Sequence, residues 1–339
     1  MIKYILPLFI FLFLSSDSFS QIENYHNFYS VDQHALGTPK NHHKDVTGLT
    51  NYLIKPFDSD IEKARSIYSW IVANIRYDHA LAKQKNRKRS SIKLILNKKR
   101  AVCLGYSDLY KAMCTIAGIE CVVVPGYSRF YNFNAKRKER FTWSDHAWNA
   151  VKLTGKWHLL DATWERKEEE KNGKTIGQEY FLANPKSFVL DHLPENPTWQ
   201  LLSCPISLND FKTGTDELTK QLDNDAFCIS FKDSIAALHK LHPALKELKE
   251  AQDAYHYNPD NHLSIGLGLY NYGSFLCNIN SVNKEIDVDA RKQGLSQGLT
   301  YYKESLKHLR KAKKPLIVLS CKKKINSTKK QLQRLEKKS

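Results

Sequence analysis

No CxxC pair occurs anywhere in the 339 residues, and the seven cysteines (Cys103, Cys114, Cys121, Cys204, Cys228, Cys277, Cys321) follow no zinc-ligand spacing. Metal-finger readings fall away with that absence. The chain is not disulfide-dense either, and its odd cysteine count leaves at least one thiol unpaired within a monomer. If Cys103 is that thiol, six remain that could pair. Beyond the first residues there is no apolar run long enough to cross a bilayer. No ribonucleoprotein signature, paired zinc ligands or fixed-period repeat is found. Gly266-Leu267-Gly268 is no nucleotide fingerprint, because no strand precedes it and the third glycine is misplaced. Acidic residues are also in short supply: 35 stand against 52 lysines and arginines, a net charge of +17.

That charge attracts anionic surfaces. At the N-terminus Lys3 precedes an apolar run, Tyr4 to Leu14, and then Ser15-Ser16-Asp17-Ser18-Phe19-Ser20. The pattern is that of a signal peptide, residues 1–20, cut before Gln21; an uncleaved N-terminal anchor is the alternative. The expected location is secreted or periplasmic. In an exported protein, anionic envelope surfaces rank above nucleic acid as partners of the basic clusters. The apolar fraction of 42% supports packed cores, and the length has room for two domains.

Residues 21–54 read as a polar N-terminal extension, with His34, His42 and His43 on a solvated loop. Ser59 and Glu62 form a capping box. Ile61, Ala64, Tyr68, Ile71 and Ile75 then make the buried stripe of a first clear helix, which ends near Tyr77-Asp78. Residues 83–100 are a basic cluster around a short helix at Ile92–Leu96. After it, Tyr106, Leu109/Tyr110, Met113 and Ile116/Ala117 form a second stripe that stops at Gly118. Ile119–Val124 is a β-branched strand ended by Pro125-Gly126, and residues 128–142 are a basic loop. Two strands follow, 145–153 and 156–164, around Thr154-Gly155. Residues 165–178 read as a charged loop, Tyr180-Phe181-Leu182 as a further strand, and 186–214 as a linker. From 215 to 339 the pattern is helical with a basic tail. Pro315 is expected to interrupt or end the last strong helix, leaving a frayed lysine-rich tail.

Cys103 stands at or just before the start of the second helix. Unpaired N–H groups and the positive dipole end favour thiolate there. Set Leu153 opposite Lys156 in the hairpin, and His146, Trp148 and Asp161 fall on one face, with His146 and Asp161 as diagonal neighbours within hydrogen-bond reach. Ala147, Val151, Leu153 and Leu160 take the opposite face, and His158 is excluded as a base by the same parity. A thiol nucleophile needs a base, an orienter for the base and donors for an oxyanion. Cys103, His146 and Asp161 can fill the first three roles, and the Cys103 N–H can be one donor. Trp70 is a weaker choice for the second donor than for core packing. Trp148 could line the acyl pocket or equally be a packed aromatic.

Three blocks in order, Ala101-Val102-Cys103-Leu104-Gly105-Tyr106-Ser107, Asp145-His146-Ala147-Trp148-Asn149-Ala150-Val151 and Gly155 to Trp164, resemble the transglutaminase-like superfamily, nearest its bacterial and kyphoscoliosis-peptidase-type branch. The resemblance covers roughly 55–185, the expected catalytic domain. It implies an α+β, papain-like core with the nucleophile helix packed on an antiparallel sheet, a nucleophile at Cys103, a base at His146 and a carboxylate at Asp161. An active member would pass through an acyl-enzyme formed from a protein or peptide substrate, released to water or to an amine; some members only bind. No calcium loop and no C-terminal β-sandwich pattern are visible, which tilts the reading toward peptidase or amidase chemistry. No cofactor or metal is called for.

Overall fold

The computed structural model describes residues 27–84, 88–129, 141–166, 176–222, 228–282 and 287–337. The expected signal segment, most of the 128–142 loop and most of the 165–178 insertion lie outside them.

The N-terminal extension is helical rather than irregular. Helices α1 (Tyr29–Leu36) and α2 (Val46–Ile54) precede α3 (Asp60–Asn74). Asp45 caps α2 through the Thr47 and Gly48 amides, and Leu49 and Leu53 are fully buried one turn apart. What holds α1 down is a buried ion pair: Arg65 on α3 donates Nε and Nη2 to Asp32, both at 2.8 Å. The three histidines are half-buried and packed on aromatic rings. His34 and His42 stack on Tyr52, and His43 meets the edge of Trp70. Trp70 itself is fully buried.

As its capping pair predicts, α3 starts after Ser59, which accepts from the Glu62 amide. It runs into β1 (Arg76–Tyr77), then α4 (His79–Ala82), α5 (Ile92–Lys98) and β2 (Arg100–Ala101). β1 and β2 pair in parallel, which delivers the chain to α6 (Cys103–Ile116). The Arg89 guanidinium pairs with Asp108 on the exposed side of α6.

A four-stranded antiparallel sheet of order β5-β4-β3-β6 backs α6. Its strands are β3 (Cys121–Ser128), β4 (His146–Leu153), β5 (Lys156–Leu160) and β6 (His192–Pro194). Leu153 lies opposite Lys156, the register the hairpin pattern predicts. The turn fits because Thr154 (φ 48°) and Gly155 (φ 78°) both sit in the left-handed region. β5 is shorter than expected: it stops at Leu160, and a helical turn over 162–166 replaces its last residues. One sheet face, with Val151, Leu153 and Leu160, joins the helical core of α1–α3 and α6. The other, with Val124, Trp148 and Ala150, packs on Trp164, Tyr180 and Phe188.

Two expectations downstream are corrected. Residues 180–182 form no strand; a single bridge joins Leu159 to Ala183. Residues 186–214 are no linker, since they supply β6, which pairs with β3 through Gly126↔Pro194, Tyr127↔Leu193 and Ser128↔His192. Gly126 is required at this crossing: a Cβ there would stand 2.2 Å from the Trp148 ring and 2.4 Å from the Leu193 carbonyl oxygen.

The C-terminal part is helical, as its periodicity predicts. It comprises α7 (Pro185–Phe188), α8 (Leu208–Thr213), α9 (Thr215–Leu222), α10 (Phe231–His239), α11 (Pro243–Tyr257), α12 (His262–Val282), α13 (Val288–Lys311) and α14 (Pro315–Glu336). Pro315 does not leave a frayed tail. It occupies the first turn of α14, where a missing N–H costs nothing. Cys204 and Cys228 form a disulfide, and the other five cysteines are free and buried. The α11–α12 turn clasps the sheet. Asn258 donates to the Tyr127 hydroxyl at 2.6 Å and to the Phe141 carbonyl at 2.7 Å, and Asn261 donates to Glu195 at 2.7 Å.

Candidate active site

α6 and β4 run side by side, and both begin at the same end. Cys103 is the first residue of α6 and His146 the first of β4, so the two side chains meet where helix and strand start. The Asn149 amide fixes this alignment. From β4 it donates to the Ser107 carbonyl on α6 and the Val122 carbonyl on β3, each at 3.1 Å. No side chain caps the first turn of α6, which leaves its leading N–H groups without intrahelical acceptors beside the Cys103 thiol.

His146 joins Cys103 to Asp161. Its Nε2 donates to Asp161 Oδ2 at 2.6 Å, and the Cys103 sulfur stands near enough to favour its charged form. Asp161 lies one residue past β5, and its Oδ1 accepts from the Thr163 amide at 2.7 Å. The predicted triad residues are thus brought together, and all three are buried: Cys103 is 5% exposed, His146 7% and Asp161 1%. Burial works against the imidazolium, but the Asp161 carboxylate and the Cys103 sulfur outweigh it and push His146 up to about 10. Burial alone would raise Asp161; the His146 and His192 imidazoles overcome it and hold the carboxyl well below the usual carboxylate range.

His192 is the residue that sequence reasoning missed. It is fully buried on β6, with Nε2 3.1 Å from the same Asp161 oxygen and Nδ1 2.5 Å from Asp191 Oδ1. The signal was poor, because His192 sits in a Pro- and Asn-rich stretch with no periodicity. Trp164, Phe188 and Tyr180 box it in, with ring centroids at 4.4, 4.1 and 5.7 Å. Trp148 belongs to this box and not to an acyl pocket. It is fully buried, 5.1 Å from the His192 ring and 5.8 Å from that of His146, so it braces both imidazoles from behind. His158 pairs with Val151 on the far face, away from the thiol.

Behind Asp161 lies a second buried layer. Glu165 accepts from the Tyr68 hydroxyl at 3.1 Å and the Tyr180 amide at 3.0 Å, and the Tyr68 hydroxyl also reaches the Asp161 carbonyl. Burial raises the Glu165 carboxyl. Among the described residues, His146, Asp161 and His192 are also the group whose donor atoms lie close enough to share a metal ion, within 4.8 Å. Here the two imidazoles point at one carboxylate oxygen and serve one another as a hydrogen-bonded chain.

Cys103, His146 and Asp161 all fall inside the stretch that the family comparison covers. Residues 47–162 fit the model of the transglutaminase-like superfamily. The chain carries a transglutaminase-like domain. Kyphoscoliosis peptidase of Mus musculus is 39% identical over 168 residues, 48% of this chain and 25% of that protein. Hillarin of Drosophila melanogaster is 29% identical over 199 residues, 55% of this chain and 24% of that protein. The chain thus spans about a quarter of the length of these curated relatives. A solved TGase structure aligns with a TM-score of 0.27 at 19% identity, covering 47% of this chain and 41% of that one. The matched stretch of the transglutaminase-like domain begins at 47, inside α2, earlier than the 55 expected from the motifs.

His192→Phe in this domain is expected to slow alkylation of Cys103 about tenfold. It also moves the acid limb of the rate–pH curve upward, because Asp161 loses a donor. Iodoacetamide labelling mapped by mass spectrometry across pH measures both, and an unchanged profile would reduce His192 to a packing residue.

Proposed function

We propose that this protein is an exported cysteine enzyme that forms a thioester on Cys103 from a protein or peptide amide. The observation that carries the reading is His146 held between the Cys103 sulfur and the Asp161 carboxylate. The sulfur, as thiolate, attacks the amide carbon, and the oxyanion forms beside the N–H groups at the start of α6. The His146 imidazolium gives its proton to the departing nitrogen. The C–N bond breaks, ammonia or an amine leaves, and the thioester remains. Water or an incoming amine then attacks the thioester and passes its proton to His146, and the thiol is restored. Asp161 keeps the imidazole turned toward the sulfur throughout. The Cys204–Cys228 disulfide and the N-terminal apolar segment favour an oxidising, exported setting.

Hydrolysis is the favoured outcome, since the relative 39% identical to this domain is named a peptidase. Incubating the protein with a peptide library and a labelled amine tests the proposal. Mass spectrometry should find shortened or deamidated peptides that require Cys103. Amine incorporation would reassign the second step, and a library left unchanged would count for a binding module.

A further inference from the structure

The positive charge of the chain is concentrated at one end. Residues 303–337 hold thirteen lysines and arginines against two glutamates, Glu304 and Glu336. Glu304 is engaged by Lys307. Most of these cations are exposed, on α13 at Lys303, Lys307, Arg310 and Lys311 and on α14 at Lys322, Lys323, Lys329, Lys330 and Arg334.

Charge of one sign on a helix is ordinarily a solvated face, but α14 also exposes leucines. Its inner face buries Cys321, Ile325 and Thr328 against α12 and α13. Its outer face opens with Leu316 at 65% exposure and Leu319 at 52%, followed at helical spacing by Lys323 and Lys330. Lys314, just before the helix, lies with Nζ 4.9 Å over the ring of Trp143, itself 42% exposed. Three of the eight exposed large apolar side chains of the described residues therefore gather around this one lysine-rich corner. None of the three is needed to close a core.

We infer that the α13–α14 face, with Trp143, Leu316 and Leu319 at its leading corner, docks on a lipid surface rich in anionic headgroups. Leucines on a helix with lysine flanks are the pattern of an interfacial helix: the apolar side chains enter the headgroup boundary and the ammonium groups stay with the phosphates. Each lysine near an anionic leaflet adds to the attraction. A nucleic acid would engage the cations equally and have no use for the leucines. No described helix is long and apolar enough to cross a membrane. Trp143 stands three residues before His146 of the triad, so no more than about 10 Å of chain separates them. A docked protein would present that site to polypeptides held at the membrane, whereas docking itself does not depend on catalysis.

Vesicle sedimentation of the full chain tests the inference. Phosphatidylcholine vesicles containing about one third phosphatidylglycerol should bind it, neutral phosphatidylcholine vesicles should not, and about 0.5 M salt should release it. Leu316→Glu with Leu319→Glu should weaken vesicle binding at least tenfold and leave Cys103 alkylation unchanged. The N-terminal apolar segment is common to both proteins, so the difference reads α14 alone. Trp143→Phe should remove a blue shift of the fluorescence on vesicles. Absence of binding to anionic vesicles, or binding indifferent to the leucine changes, overturns the proposal. Binding to DNA tighter than to vesicles, and equal in both proteins, also overturns it and makes the patch a nucleic-acid site.

Discussion

Cys103→Ala should remove acyl transfer while leaving the fold in place. The loss expected is about 10⁴-fold or more, because no other group near His146 can form the thioester. The structural cost is small, on the order of 1 kcal/mol, since one buried sulfur is lost from a site whose packing rests on Trp148 and Ala147. His146→Ala should match the loss of turnover and differ in stability. It strips the buried Asp161 of its main partner, so unfolding should come easier by roughly 3 kcal/mol. The double variant should be no less active than either single one, as groups that act as a unit are not additive. Single-turnover assays beside thermal melts separate these effects. Residual turnover in Cys103→Ala would move the nucleophile elsewhere.

Asp161→Asn should change how stability responds to pH. The raised imidazole and the lowered carboxyl are one interaction seen from its two ends. The His146 part is fully present below its ordinary value of 6.5 and is lost as pH rises through about 10. The Asp161 part is present above its ordinary value of 3.8 and is lost as pH falls through its depressed folded value. The native protein should therefore be most stable at mildly acidic pH and melt progressively lower toward pH 10. In Asp161→Asn the imidazole lacks the partner that raises it, so most of that alkaline decline should vanish. Stability near pH 6 should fall by roughly 3 kcal/mol, and turnover by about 10³–10⁴-fold. A melting profile parallel to that of the native protein would show that the carboxylate does not set the imidazole's charge.

Part of the site was legible because it is local. His146 opens β4 and Asp161 follows β5 by one residue, so the register of the hairpin brings the two near one another, although the ladder expected of a longer β5 stops at Leu160. Cys103 was legible as a helix start, and the family blocks joined it to the hairpin. His192 was not, because β6 is three residues long and finds its partner β3 more than sixty residues upstream. Only a non-local pairing makes it a strand, and neither periodicity nor propensity records such a pairing. The same holds for α1, which is anchored by one buried ion pair, Asp32 to Arg65, between two polar-looking segments. Trp148 was placed on the correct face with its role left between pocket and packing, because parity gives direction, not depth. Pro315 read as a stop because proline ends helices and also begins them, and only the next turn decides.

The late position of β6 also orders events in time. At ordinary rates of synthesis, about 5–20 residues per second, His192 emerges several seconds after Cys103. Until then Asp161 lacks one of its two imidazoles, and the aromatic box behind His146 stands open. The α11–α12 turn that clasps Tyr127 and Glu195 arrives later still. A nascent chain thus carries its reactive sulfur through most of translation without the framework that aims it. The site is complete only when the C-terminal half closes on the sheet.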